Sequence, residues 1–427
     1  MIFWVIILVL VLIALLGAPL FAVFGAFVLF AFNAIHTDTS VIIISLYQIA
    51  DTPILVAIPL FVFGGYVLAE SKAPQRMVAL TQALIGWMRG GLAIVTLVTC
   101  AVFTSFTGAS GVTIIALGGI LYPILLKEKY PEKFSMGLVT ASGSIGLLFP
   151  PSLPVILYGI VTRVSIDQLF LAGLIPGVLF IVVLSLYCIK TGITERIPTV
   201  PFSWRNLAKA AKDAAWEIPL PFLIIGGIYG GYFTATEAAA VTAFYVFVVE
   251  VFIYRDLHIF KDVPRVVKQS MMLVGAELAI LGIAFALTNY FIDQQVPQKL
   301  FQMIQSTITS QTKFLLVLNG FLLIVGMTME MFPAILVVVP LILPIAQEFG
   351  VNPLHLGIIF LTNMEVAYLT PPFGLNLFLS SLRFNRRVFS IARSVFVFIL
   401  LEFVALLLIT YVPELSLWLV NAQAGGR

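Results

Sequence analysis

Charge is scarce in this sequence. Asp, Glu, Lys and Arg make up 10% of its 427 residues, whereas soluble domains carry about 25%. The net charge is +3 without a basic block, so nothing points to nucleic acid. With only Cys100 and Cys188, neither a disulfide framework nor a thiolate metal site is implied. The three histidines lack paired spacing, which argues against a His-ligated metal centre. A Gly-rich phosphate loop with its lysine is missing, and no nucleophile, base and orienter can be read off. The chain therefore reads as no enzyme and as needing no organic cofactor.

What is abundant is apolar. Hydrophobic residues make up 61% of the chain, and runs of the roughly 20 residues needed to span a bilayer recur from end to end. Nine spans are expected, near 2–32, 53–70, 137–162, 165–189, 216–235, 236–254, 269–292, 355–382 and 394–412. One soluble core could not hide so much apolar surface, so an all-α integral membrane protein is expected. The run Ile2 to Phe32 lacks the basic start of a signal peptide and is too long for one. It reads as a retained span, with a break placed at Gly17-Ala18-Pro19. Pieces 74–90 and 297–312 alternate polar and apolar faces and are expected along the interface. Residues 190–215, with two prolines and five basic residues, read as a linker between halves.

Two further stretches, 92–126 and 314–347, are interrupted by small polar tips, Ser105 to Gly111 and Gly326 to Met331. Their arms look short. They are either ordinary helical hairpins with loops in water or re-entrant hairpins whose tips meet inside the membrane. An internal repeat favours the second reading. A shift of 221 residues puts Thr107 on Thr328, Pro123 on Pro344, Ser142 on Asn363, and Pro150-Pro151 on Pro371-Pro372. Charge then orients the copies. Lys127, Lys129 and Lys133 follow the first hairpin, whereas Glu348 to Leu354 has no basic residue. After the broken spans the bias reverses, with Arg163 alone against Arg383, Arg386, Arg387 and Arg393. Basic loops stay cytoplasmic, so equivalent loops face opposite sides and the repeats are inverted. The N terminus is expected inside and the C terminus outside.

Inverted repeats with broken helices are the build of a secondary transporter. The helix-breaking pairs are Pro150-Pro151 and Pro371-Pro372. Carbonyls freed before each pair suit a hard cation such as sodium, and the restarting helix points a positive N-terminus at a carboxylate or sulfonate. Acids within spans are weighed singly. Glu330 and Glu365 either bind a cation, carry a proton or are hydrogen-bonded structural groups. Glu237, three residues after Thr234, reads as a helix capping box. Asn376 either donates to an anion or bonds another helix.

At these residues the sequence resembles the large membrane subunit of the tripartite ATP-independent periplasmic (TRAP) transporters. The likeness is carried by Gly146 to Ser152 leading to Leu169 through Gly177, by Gly227 to Ala240, and by Pro371 to Phe378. It implies a sodium-coupled elevator in a bacterial inner membrane, importing a small organic anion. It also implies a separate small membrane subunit and a periplasmic substrate-binding protein as partners. The resemblance implies sodium sites between tips and broken helices. Carried over, these are Ser105, Thr107, Gly108 and Ser110 with Ser142, Gly143 and Gly146, and Gly326, Thr328 and Glu330 with Asn363 and Thr370. The anion would meet Ser110, Ser152, Gly374 and Asn376. Met329 to Phe332 is bulkier than is usual for the family's second tip. The expected division is scaffold at 1–91, transport domain at 92–162, scaffold at 163–313, transport domain at 314–382 and scaffold at 383–427. A stand-alone divalent-anion/sodium symporter and an uncoupled channel remain rival readings.

Overall fold

The structure is a computed structural model that describes residues 9, 10, 12, 13, 20–50, 53–199, 201–305 and 308–425. The expected break at Gly17-Ala18-Pro19 lies outside them, as does the start of the first span. The described residues are helical throughout, with no strand among them. Six helices are long and apolar enough to cross a membrane, or up to nine if each bent pair is one span.

The repeat is visible in the element ends. Gly91–Thr107 and Gln311–Thr328 are the first arms of the two hairpins, and Glu132–Ser142 and Pro353–Tyr368 begin the two broken helices. Leu153–Thr162 and Leu375–Phe384 resume them, and each is followed by a long helix, Ile166–Thr194 or Val388–Tyr411. Shifted by 221 residues, these ends agree within one or two positions except at the far ends of the long helices and where the first break begins a turn early. Only Gly108 and Ala109 leave the helix at the first tip, and only Met329 and Glu330 at the second. The tips are therefore tighter than the polar runs suggest, because Ser105, Thr107, Ser110 and Thr328 stay helical. Gly108 has φ +66°, the left-handed region that favours glycine, whereas Met329 is extended. Both arms of the second hairpin are 18 residues long, so they are not short by length.

The two copies run antiparallel. Arg386, beyond the end of the second broken helix, pairs at 2.5 Å with Glu132 at the start of the first. At the other end, Tyr158 donates at 2.8 Å to the carbonyl of Pro353, which starts the second. The lysine loop after the first hairpin and the arginine cluster thus share one end, as the charge bias requires. Partners are also exchanged. Each hairpin's first arm packs on the first half of its own broken helix, whereas its second arm packs on the restarted half of the other.

Packing gathers the helices into two groups. Ile166–Thr194 packs on the first hairpin, on Pro353–Tyr368 and on Val388–Tyr411, so both long helices pack with the hairpins and broken helices. A second group contains Leu20–Ala34, Ala57–Glu70, Ala235–Val248 and Asp262–Asp293. The expected linker holds an amphipathic helix, Trp204–Asp213, capped by Ser203. Helices Ala73–Ile85 and Val296–Gln305 form within the two pieces expected along the interface, but the span expected at 216–235 is helical only over Pro219–Tyr229. Arg76 on the first interfacial helix gathers Glu217, Glu250 at 2.8 Å and Asp256 at 2.5 Å, with the Tyr254 ring 3.8 Å away. It joins that helix to the second group.

Close crossings rest on small residues. A Cβ on Gly146 would lie 2.1 Å from the Ala101 carbonyl oxygen and 2.8 Å from the Ser105 nitrogen. In the other copy Gly326, equivalent to Ser105, would put its Cβ 2.5 Å from that of Ala367, equivalent to Gly146. The contact is the same and the glycine has changed sides. Gly146→Ala should therefore push two backbones apart at a cost of about 1–3 kcal/mol. Gly320→Ala, where a Cβ meets nothing within 4 Å, should be neutral or gain up to about 1 kcal/mol from helix propensity. Melting temperatures of the two purified variants check this; equal values would mean that the Gly146 crossing is not tight.

Candidate functional site

The first tip is closed into the protein. Thr104, one turn before Gly108, bonds Thr113 on the second arm at 2.7 Å and donates to the Gly143 carbonyl at 2.9 Å. One hydroxyl thereby ties both arms to the first break. Ser142 is fully buried, and its hydroxyl donates to the Leu138 carbonyl at 2.7 Å with lone pairs to spare. Ser110 and Thr107 are buried too, and the Thr107 hydroxyl sits 3.5 Å from the carbonyls of Thr104 and Ala109. Ser105 turns away, donating to Val102 and lining an apolar cavity of about 200 Å³ with Phe149, Pro150 and Pro221. Ser152 donates to the Leu147 carbonyl, so the restart uses its hydroxyl on the break itself. Both Pro-Pro bonds are cis.

Asn376 crosses between the repeats. From the second restarted helix its amide reaches Ser144 at 3.3 Å and the Thr140 carbonyl at 3.4 Å, while Thr140 donates to Ser380 at 2.8 Å. Asn376 thus bonds the other broken helix, yet its Oδ1 is buried with no partner among the described residues.

The second tip is more open. Thr328, Glu330 and Pro371 to Phe373 are exposed, whereas Gly374 is buried against the Tyr368 and Thr370 carbonyls. The Thr328 and Thr370 hydroxyls donate to carbonyls of their own helices, at 2.9 and 2.8 Å. Asn363 is fully buried. Its amide donates to Asn319 at 2.6 Å and to the Ile359 carbonyl at 2.7 Å, and Asn319 continues to Thr410 at 3.2 Å. The Asn363 Oδ1 is left without a donor. Tyr368 accepts from the Met331 amide at 2.6 Å, satisfying the first donor of the hairpin's second arm. Glu365, 1% exposed, sits near Glu402 of Val388–Tyr411, and both oxygens of each lack a partner among the described residues. Glu237 forms the capping box with Thr234 at 2.8 Å.

Thr104, Thr113, Ser144, Asn319, Tyr368 and Glu402 are therefore parts of these clusters that sequence reasoning missed. Ser144 and Tyr368 carried a signal, standing inside Ser142 to Gly146 and Asn363 to Thr370. A cavity of about 820 Å³ opens elsewhere, between Arg163, Asp167 and Tyr232 to Glu237. No tip residue lines it. What the tips offer is hydroxyl, amide and carbonyl oxygen around two helix breaks, which is ligand chemistry for a hard cation rather than catalysis.

These features define an all-α membrane transporter fold of two inverted repeats. The chain matches the family model described as tripartite ATP-independent periplasmic transporter, DctM component, over residues 4–415. It is 34% identical over 391 residues to the C4-dicarboxylate TRAP transporter large permease protein DctM of Vibrio cholerae, covering 87% of this chain and 86% of that one. It is 31% identical to the isethionate TRAP transporter permease protein DctMQ of Oleidesulfovibrio alaskensis (96% and 69% covered). It is 32% identical to the ectoine/5-hydroxyectoine TRAP transporter large permease protein UehC of Ruegeria pomeroyi (86% and 85%). The fold resembles the YdaH transporter of Alcanivorax borkumensis with a TM-score of 0.66 at 13% identity, over 94% of this chain and 97% of that one. The chain belongs to the TRAP transporter large permease family. It is a multi-pass protein of the inner membrane and a transporter subunit, not an enzyme.

The hydroxyl of Tyr368 is the sole acceptor the structure gives the Met331 amide. Tyr368→Phe should leave that buried donor unpaired and cost about 1–3 kcal/mol. A melting temperature unchanged from wild type would show that the tip does not depend on this bond.

Proposed function

We propose that this chain is the large permease subunit of a sodium-coupled importer of a small organic acid, carboxylate or sulfonate. A small permease subunit and a periplasmic binding protein would complete it. The observation that carries the reading is the placement of two buried, donorless amide oxygens, Asn363 Oδ1 and Asn376 Oδ1, at the two helix breaks. A buried acceptor without a donor is costly, and a sodium ion would satisfy it. Ser142, Gly143, Gly146, Thr107, Gly108 and Ser110 would hold one ion. Asn363 and Thr370, with Gly326, Thr328 and Glu330 of the tip, would hold the other. The restarts at Ser152 and Gly374 would face the acid group. The relatives' named cargoes, a C4-dicarboxylate, isethionate and ectoine, are small acids and fit this size and charge class.

In the elevator reading, hairpins, broken helices and the two long helices move together against the second group. Cysteines at Ser110 and Thr328 should then label from opposite sides of the membrane, with little background because Cys100 and Cys188 are buried. Labelling of both from one side under every ion gradient overturns that motion.

Sodium, but not potassium, should raise the melting temperature of the purified protein. At ~100 times the dissociation constant the stabilisation should be about 2.7 kcal/mol. Ser142→Ala and Asn363→Ala should raise the sodium concentration for half-maximal uptake roughly 5- to 150-fold, the cost of about 1–3 kcal/mol for one neutral ligand. Equal melting in the two salts, or unchanged sodium curves in both variants, rejects the coupling.

A further inference from the structure

Glu277 sits at the middle of Asp262–Asp293, a 32-residue helix of the second group, and therefore near the middle of the bilayer. It is 8% exposed, and its Oε1 has no hydrogen-bond partner among the described residues. The carboxyl lines a crevice of about 10 Å³, room for roughly one water, with Leu153, Leu157, Leu281 and Phe332. Leu153 is the first residue of the restarted first helix and lies against the first tip at Gly108. Phe332 belongs to the second tip. Glu277 is thus the acid that the wall presents where both tips and a restart converge.

It is not the only acid there. Glu330, on the second tip, is close enough for its charge to act on Glu277, and Tyr66 is the other ionisable group within reach. No lysine, arginine or histidine lines the crevice. A buried carboxylate in such surroundings is costly until something cationic meets it. A dianion entering here would meet carboxyl groups and no basic side chain, with only helix N-termini to oppose its charge.

We propose that Glu277, with Glu330 opposite, receives a cationic group of the cargo, so that the transported acid is a zwitterion bearing an ammonium or amidinium. This rests on the reading of the tips and restarts as the cargo site. The acid group meets the restart at Ser152 and the cationic group meets Glu277, so the cargo bridges the moving bundle and the wall. Its arrival gives the buried carboxyl the partner that it lacks in the empty crevice.

Matched probes test this. Taurine and isethionate differ only in an ammonium against a hydroxyl, and ectoine and succinate contrast an amidinium zwitterion with a dianion. Each is added at tens of millimolar to the permease purified with its small subunit in sodium, and melting is followed. Taurine should bind at least about tenfold more tightly than isethionate, the discrimination that a buried charge-assisted hydrogen bond supplies. Ectoine should stabilise where succinate does not. Glu277→Gln should melt higher than wild type without cargo, lose the preference for the zwitterions, and keep its sodium shift. Glu330→Gln, at a tip residue also placed in the second sodium site, should weaken the same preference and lower the sodium shift as well.

Isethionate or succinate stabilising as well as the zwitterions overturns the proposal even if no variant folds. So does the absence of any zwitterion shift, or a Glu277→Gln protein that loses only its sodium shift, which would make Glu277 a coupling-ion ligand. A wild-type protein with no sodium shift at all is a different failure, that of the sodium coupling.

Discussion

A helix broken inside a bilayer must have its backbone satisfied by something other than water, and this requirement organises the molecule. The chain meets it with side chains brought from elsewhere. Thr104 from the first hairpin donates to the Gly143 carbonyl, Ser152 donates back to Leu147, and Tyr368 accepts from the Met331 amide. Each of these groups sits on a helix that could not hold its position alone. The hairpins are consequently part of the broken helices' hydrogen bonding, and the breaks are part of how the tips are held.

The inverted arrangement follows from the same need. A re-entrant hairpin covers one break from one side of the membrane, and the second break, running the other way, needs its cover from the opposite side. Exchange of partners then locks the copies together, because each hairpin's second arm packs on the other repeat's restarted helix. Asn376 shows the consequence in one residue. It leaves the second break and bonds Ser144 and Thr140 of the first. A change at one break is therefore felt at the other through direct contact.

Much of this was legible in the sequence because its signals are local. Span lengths, the Pro-Pro pairs, the 221-residue register and the basic bias of the loops each lie within a short window or repeat at a fixed offset. The structure keeps the last three, and the span lengths fail at 216–235, where the helix covers only Pro219–Tyr229. What was not legible depends on distant residues. Asn319 meets Asn363 across 44 positions, and Arg76 meets Glu217 and Glu250 across 141 and 174. The exact tips were also missed, since a polar residue such as Thr107 or Ser110 is as compatible with a buried helix end as with a loop. The neighbours of the long helices were not legible either, because hydropathy reports that a helix crosses, not what it packs against.

The two copies have diverged in charge while keeping their geometry. The 221-residue shift puts Ser144 on Glu365, Ser142 on Asn363 and Ala109 on Glu330. The first break is lined by hydroxyls and small residues and is closed, with Pro150 and Pro151 buried. Around the second gather Glu330, Glu365 and Glu402, and Pro371 and Pro372 are exposed. Neutral oxygens in a closed site can bind a bare cation without fixing the site's charge beforehand, whereas carboxylates set that charge before any ligand arrives. The same fold element thus presents neutral oxygens at one break and carboxyl groups at the other. With Glu277 added from the neighbouring helix Asp262–Asp293, the buried acids gather on the side of the second tip.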